Sequence, residues 1–382
     1  MVDLGQVRLR SNPRFRLIPY DRLSSTQQIE FRSLKKDRDF FGILVPPPES
    51  GLPAKSVSRD AALLFLALAE SACLPNLLTD LLGNHANERL RQLVLDQVFE
   101  VEQAGRFLSG PAAAALLGVE PGLDAASRLA RLSSEAIDYA LALESLTVGE
   151  LAARLYFFNA APSTPALQRR FATTEQQCSF LYEVRGTEHR LRSKWRGEAI
   201  EDSWLMWSTS AVAEAAYKLY VSPLLEDLPR VFAVAVHAFA QVDCRRFKLG
   251  AGAYGLLRPD KLVAYFSSLD SLQRAAELIA GGATEAKAQG VPFSAPIDPA
   301  GLLSWGMDPP RFELAPQSDA VLSWRQWLSE RIAVYVTAAR QSADDVQAFV
   351  RQRIALDGVD PANWTPDLAI WRGPLGTEQG VG

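Results

Sequence analysis

The chain has 382 residues, of which 48% are hydrophobic and 22% charged, with 40 basic against 44 acidic side chains and a net charge of −4. That length accommodates two domains and a core that needs no covalent staples, and the composition excludes wholesale disorder. The balance of charge argues against a general nucleic-acid binder, which carries a basic excess.

Three cysteines, Cys73, Cys178 and Cys244, are too few and too scattered for a disulfide framework and fit a reducing cytoplasm. Met1 to Arg16 carries four arginines but no apolar run of the signal-peptide kind. The longest apolar stretch, 61–69, is about half of the ~20 residues that span a bilayer. It reads as a buried helix, and no membrane association is expected.

In chain order, 1–55 is irregular, with Pro46-Pro47-Pro48 marking an extended connector. Residues 56–159 are rich in Ala, Leu, Glu and Arg, good helix formers. Helices are expected after the capping candidates of 56–60, over 87–104, over 126–143 and over 148–158. The prolines of 160–177 mark a boundary. Strands are expected at 179–184, 203–207, 216–222, 247–249, 262–266 and 301–305, and helices at 224–241, 269–280, 321–339 and 344–354. The expectation is an α+β protein: a mostly helical amino-terminal domain (1–165), a mixed α+β domain (175–356) and a flexible tail (357–382).

Several motifs fail on context. Gly250-Ala-Gly-Ala-Tyr-Gly255 matches G-x-G-x-x-G, but a dinucleotide site needs a helix opening at the last glycine. Here Arg258-Pro259 follows closely, and proline disfavours helix at the residue before it; a glycine-rich hairpin or active-site loop is expected. The companion motifs of a kinase are missing. His85, His189 and His237 lie far apart without carboxylates at metal-ligand spacing. His237 reads as a core or rim histidine, and Cys244 as structural.

The informative residues are cationic. Only 8 of the 40 basic residues are lysines, so a lysine inside a strand is noteworthy. In Tyr217-Lys-Leu-Tyr-Val-Ser222, alternation sets Lys218, Tyr220 and Ser222 on one face and Tyr217, Leu219 and Val221 on the other. The bland alternative is a solvated outer face. Lys248 stands between Phe247 and Leu249. Arg258 enters the strand at 262–266, its ordinary role being a turn ion pair with Asp260. Arg325 and Arg331 lie in an aromatic, apolar helix, where a guanidinium must be paired or bind an anion.

The stretches AYKLYVSP, FKLG, GLLRPDKLVAYF, GVPFSAP, GLLSWGMDPP and SWRQWL, running from Tyr217 to Val336, resemble the HopA-type effector family. That family has stand-alone homologues in biosynthetic clusters. The stretch ARLYFFNAAP is similar to the amino-terminal region of such homologues. Members in lanthipeptide clusters are regarded as phosphoserine/phosphothreonine lyases working beside a separate kinase. Lys218-Leu-Tyr220-Val-Ser222 also resembles the K-x-H-x-S strand of effector phosphothreonine lyases, with Tyr220 in place of histidine. Lys248 follows 30 residues later, Arg258 10 after that and Arg325 a further 67, in the order of the lyase pattern.

The resemblance implies an α+β lyase-like domain that eliminates phosphate from phosphorylated Ser/Thr in a precursor peptide. It implies no metal or organic cofactor. Lys248 is the implied base, Lys218 the group that meets enolate-like charge, and Tyr220 a donor to the leaving group. Arg258, Arg325 and Arg331 are the implied phosphate ligands. The alternative is a non-catalytic module that binds a phosphopeptide or a protein partner through the same cations.

Overall fold

A computed structural model describes residues 6–47, 54–74, 86–117, 127–200, 203–209, 216–242, 244–309, 323–342 and 345–368. The chain divides into two compact units. One comprises Met1–Pro121 with Val334–Asp357, the other Gly122–Ala333 with Gly358–Gly382.

In the first unit, β1 (Arg8–Ser11) and β2 (Arg16–Pro19) precede α1 (Ser25–Glu30), then β3 (Phe40–Val45), β4 (Lys55–Ser58) and α2 (Arg59–Ala67). There follow β5 (Ala72–Cys73), α3 (Ala86–Leu95), β6 (Phe99–Gln103), β7 (Arg106–Leu108) and α4 (Pro111–Ala115). Two small antiparallel sheets result, ordered β5-β1-β6-β7 and β2-β3-β4. Ser58 caps α2 by accepting from the Ala61 amide.

Residues 87–104 are therefore not one helix. The helix α3 closes after Leu95 with Gln97 at φ 61°. The Val98 amide donates to the Leu93 carbonyl at 2.8 Å and the Gln97 amide to Val94 at 2.9 Å, a left-handed helix stop that turns the chain into β6. The first unit carries sheets as well as helices, and it takes in Val334–Asp357 besides Met1–Pro121.

The second unit opens with α5 (Arg128–Ala142), α6 (Val148–Tyr156), α7 (Pro165–Arg170), α8 (Thr174–Leu181) and α9 (Thr187–Lys194). The strand expected at 179–184 is the end of α8 and its cap. Thr173 and Gln176 form a reciprocal capping box that starts a helix ahead of the aromatic residues.

Next come β8 (Arg196–Ile200), β9 (Trp204–Ser208), β10 (Tyr217–Val221), α10 (Leu228–Gln241), β11 (Arg246–Gly250), α11 (Gly252–Leu257), β12 (Leu262–Phe266) and α12 (Leu269–Gly282). The chain continues through β13 (Ala295–Pro296), β14 (Leu303–Met307), α13 (Trp324–Ser342) and α14 (Val346–Leu356) to β15 (Val359–Asp360) and β16 (Thr365–Pro366). The last two strands pair with each other. Residues 369–382 of the expected flexible tail lie outside the described residues.

The α+β expectation holds. The larger sheet is antiparallel, in the order β13-β14-β10-β12-β11-β9-β8. Its apolar face carries Leu219, Phe247, Leu249, Leu262 and Ala264, all fully buried. Phe232 and Phe239 of α10 bring their rings to 6.4 and 5.2 Å from that of Phe247. Burying these side chains at roughly 1.5–3 kcal/mol each fixes which face is core and so which face is left for chemistry.

Candidate functional site

The opposite face of that sheet carries the cations. Lys218 of β10 aligns with Tyr265 of β12, and Tyr265 aligns with Arg246 of β11. Two residues along, Tyr220 aligns with Val263, and Val263 with Lys248. Register partners in adjacent strands share a face, so Lys218, Tyr220, Arg246 and Lys248 project from one surface. The apolar/polar alternation of 216–222 thus reads the side correctly. It does not read the burial, because every residue of β10 is buried. Three cations surround the Tyr265 ring: Arg246 at 4.3 Å, Lys218 at 5.5 Å and Lys248 at 5.9 Å from its centroid.

Lys218 donates to Asp308 Oδ1 at 2.5 Å. Burial lowers its pKa and Asp308 opposes that. The Lys248 amine lies 3.9 Å from the centroid of the Trp204 ring. Burial, then the nearby charge of Lys218, brings its pKa down to about 8, against an opposing pull from Asp260. The Lys248 amine is thus more readily neutral than that of an ordinary lysine.

The glycine motif builds the next part. A Cβ on Gly250 would lie 2.6 Å from Gly255 Cα, so strand and helix backbones meet where neither residue has a side chain. The segment is a short helix, α11, rather than a hairpin, and it ends at Arg258 before Pro259. This turn returns Arg258 over Trp204, at 4.5 Å from the ring centroid.

Arg258 grips Asp260 with Nε at 2.9 Å and Nη2 at 3.1 Å, and donates to Tyr156 Oη at 2.8 Å. Arg325 Nη1 reaches the same carboxylate at 2.9 Å. Its other donors go to the Tyr156 carbonyl at 2.7 Å and the Pro292 carbonyl at 3.3 Å. Burial alone would push the Asp260 carboxyl up, but Arg325 and Arg258 together hold it well below the ordinary range. The turn ion pair weighed from sequence is real, and it is shared with a second arginine.

Lys261 holds the loop from behind. It is fully buried and donates to the Pro223 carbonyl at 2.6 Å and to Gln289 Oε1. Burial brings its pKa down to about 7. Gln289 donates in turn to the Asn159 and Leu257 carbonyls. This network ties Arg258–Lys261 to the end of α6, which carries Tyr156.

Lys218, Tyr220 and Lys248 therefore share one face of the sheet, and Arg258 meets Lys248 there over the Trp204 ring. Arg325 joins them through Asp260, not as an open guanidinium. The Tyr220 phenol is buried, which pushes its pKa well above the ordinary value. Arg331 is six residues past Arg325, roughly 240° around the helix, and stacks over Trp327 at 5.4 Å.

Trp204, Tyr156, Asp308, Tyr265 and Arg246 escaped the sequence reading. The alternation rule applied to 246–250 would have found Arg246. His237 is an exposed rim residue bonded to Gln241. Among the described residues no group of three or more His, Cys, Asp or Glu is placed to hold a metal ion, and no helix is long and apolar enough to cross a membrane.

No protein-family model matches the chain, and no curated protein does. Solved structures give weak neighbours. An effector protein from Pseudomonas syringae pv. tomato strain DC3000 aligns at 13% identity and TM-score 0.39, over 63% of this chain and 97% of that one. An effector from Pseudomonas syringae pv. syringae strain 61 aligns at 14% and 0.35, over 62% and 96%. The type III effector/phosphothreonine lyase OspF from Shigella flexneri aligns at 11% and 0.24, over 47% and 90%. At these values the function has to be argued from the site itself.

Proposed function

We propose that the second unit catalyses β-elimination of phosphate from phosphoserine or phosphothreonine in a peptide, leaving a dehydro-amino acid. The observation that carries this reading is the Lys248 amine, lowered to about 8 by burial and Lys218, on one face with Lys218 and beside Arg258. A binding pocket needs only positive charge at position 248. A base needs an amine that can be neutral near the working pH.

In the proposed reaction, neutral Lys248 takes the substrate Cα proton. The electron pair left behind forms the Cα–Cβ double bond as the Cβ–O bond breaks, and the phosphate departs with both bonding electrons. Lys218 stabilises the charge that builds on the substrate carbonyl oxygen. Arg258 receives the phosphate through Nη1, the edge of its guanidinium that is not spent on Asp260 and Tyr156. Tyr220 serves as a neutral hydrogen-bond donor. Arg325 acts through Asp260, fixing the loop that presents Arg258. Arg331 has no part in the scheme.

The proposed substrate is a precursor peptide phosphorylated by a separate Ser/Thr kinase, as in lanthipeptide maturation. Incubation with a phosphothreonine peptide, without ATP or metal, should release inorganic phosphate and leave a residue lighter by one phosphoric acid. A second reading, a phosphopeptide-binding module without chemistry, draws on the engagement of both Arg258 and Arg325 by Asp260. Binding without phosphate release across several phosphopeptides would favour it.

A further inference from the structure

We infer that Arg246 is a second stabiliser of the charge that develops on the substrate carbonyl oxygen, working beside Lys218. The inference rests on the lyase reading and adds a catalytic residue to it.

Two features of Arg246 point this way. First, its Nε is buried with no hydrogen-bond partner, a costly state for a charged donor unless something else completes it. The guanidinium carbon instead lies over the Tyr265 ring, at 4.3 Å from the centroid. Second, among the described residues, two carboxylates of this site are engaged by other cations. Asp308 takes Lys218, and Asp260 takes Arg258 and Arg325. Arg246 therefore brings an uncommitted donor to a face where Lys218 spends one of its three N–H bonds on Asp308.

The order of groups along the sheet matches the order of charges along the substrate. Lys248 lies in the middle of β11. On one side, Gly250 aligns with Trp204, and Arg258 stacks on that indole. On the other, Arg246 aligns with Tyr265 and, one strand farther, with Lys218. In a phosphoserine or phosphothreonine residue the Cα proton lies between the carbonyl group and the Cβ–O–phosphate arm. A base at Lys248, a phosphate at Arg258 and a carbonyl oxygen at Lys218 and Arg246 satisfy that sequence without crossing.

Among the described residues, the charged and titratable groups on this face are Arg196 of β8, which aligns with Arg246 through Ser208, Lys218 and Tyr220 of β10, Lys248 of β11, Tyr265 of β12 and Asp308 after β14. Arg258 and Asp260 enter from the loop after α11, Tyr156 from α6 and Arg325 from α13.

The test is steady-state kinetics of the full chain on one phosphothreonine peptide, with thermal melting as the folding control. Arg246→Gln should lower kcat by roughly 10²–10³-fold, the loss expected for one donor to a developing oxyanion, with KM within about threefold of the parent. Arg246→Lys should lose about tenfold, keeping charge but not the Nε–H. Should the Gln protein fail to fold, the Lys protein decides alone. A parent-like kcat in these variants, or a loss confined to KM, overturns the inference and leaves the lyase reading standing. A parent protein that releases no phosphate overturns both.

Discussion

Gly250 and Gly255 approach so closely that a Cβ on the former would sit 2.6 Å from the Cα of the latter. This contact turns β11 back on itself and brings Arg258 over Trp204. Gly250→Ala should destabilise the fold by about 1–3 kcal/mol, as overpacking does. It should also reduce phosphopeptide affinity, because Arg258 moves with α11. Denaturant unfolding and a binding titration check both. Unchanged values would mean the turn has another way to close.

Asp260 is the carboxylate on which two arginines depend. Asp260→Asn leaves Arg258 and Arg325 buried without their counter-ion, and should cost about 3–5 kcal/mol. The folded protein holds this carboxyl ionised far below its unfolded pKa. Its contribution to stability is therefore full above about pH 4 and is lost as pH falls below that. Melting temperatures from pH 7 to pH 2 should fall less steeply in the Asn protein than in the parent.

Arg258 and Arg325 should separate by phenotype. Arg325→Ala should act chiefly on stability, because its guanidinium forms an ion pair with Asp260 and donates to the Tyr156 and Pro292 carbonyls. Arg258→Ala should act chiefly on affinity for the phosphorylated peptide. Equal affinity losses at matched stability would restore Arg325 as a direct phosphate ligand.

Trp204 stacks against both the Lys248 amine and the Arg258 guanidinium, at 3.9 and 4.5 Å. A ring face favours the charged amine. Trp204→Leu should therefore lower the Lys248 pKa and move the acid limb of kcat/KM to lower pH than in the parent. Trp204→Phe should lie between the two. A limb that stays in place in the Leu protein would show that the indole does not act on the amine.

The sheet and its cationic face were legible because strand periodicity is local. Lys218 and Tyr220 lie two residues apart, and Lys248 stands between apolar neighbours. What stayed hidden is non-local. Asp308 reaches Lys218 across 90 residues, Tyr156 reaches Arg258 across 102, and Arg325 reaches the Tyr156 carbonyl across 169. No spacing rule carries such pairings. Two secondary-structure errors had local causes with weak composition signals. Gln97 adopts the left-handed stop where a glycine would have announced it, and the Thr173–Gln176 capping box outweighs the aromatic residues that follow it.

The central claim is that the Lys248 amine is a base and not merely a positive charge. The direct measurement is release of inorganic phosphate from a phosphothreonine peptide by the parent and by Lys248→Arg, with binding of the same peptide measured alongside. A guanidinium keeps the charge but stays protonated. The account predicts phosphate release by the parent, release lowered by at least about 10²-fold in the Arg protein, and binding within a few-fold of the parent. Elimination by Lys248→Arg at the parent's rate would contradict it.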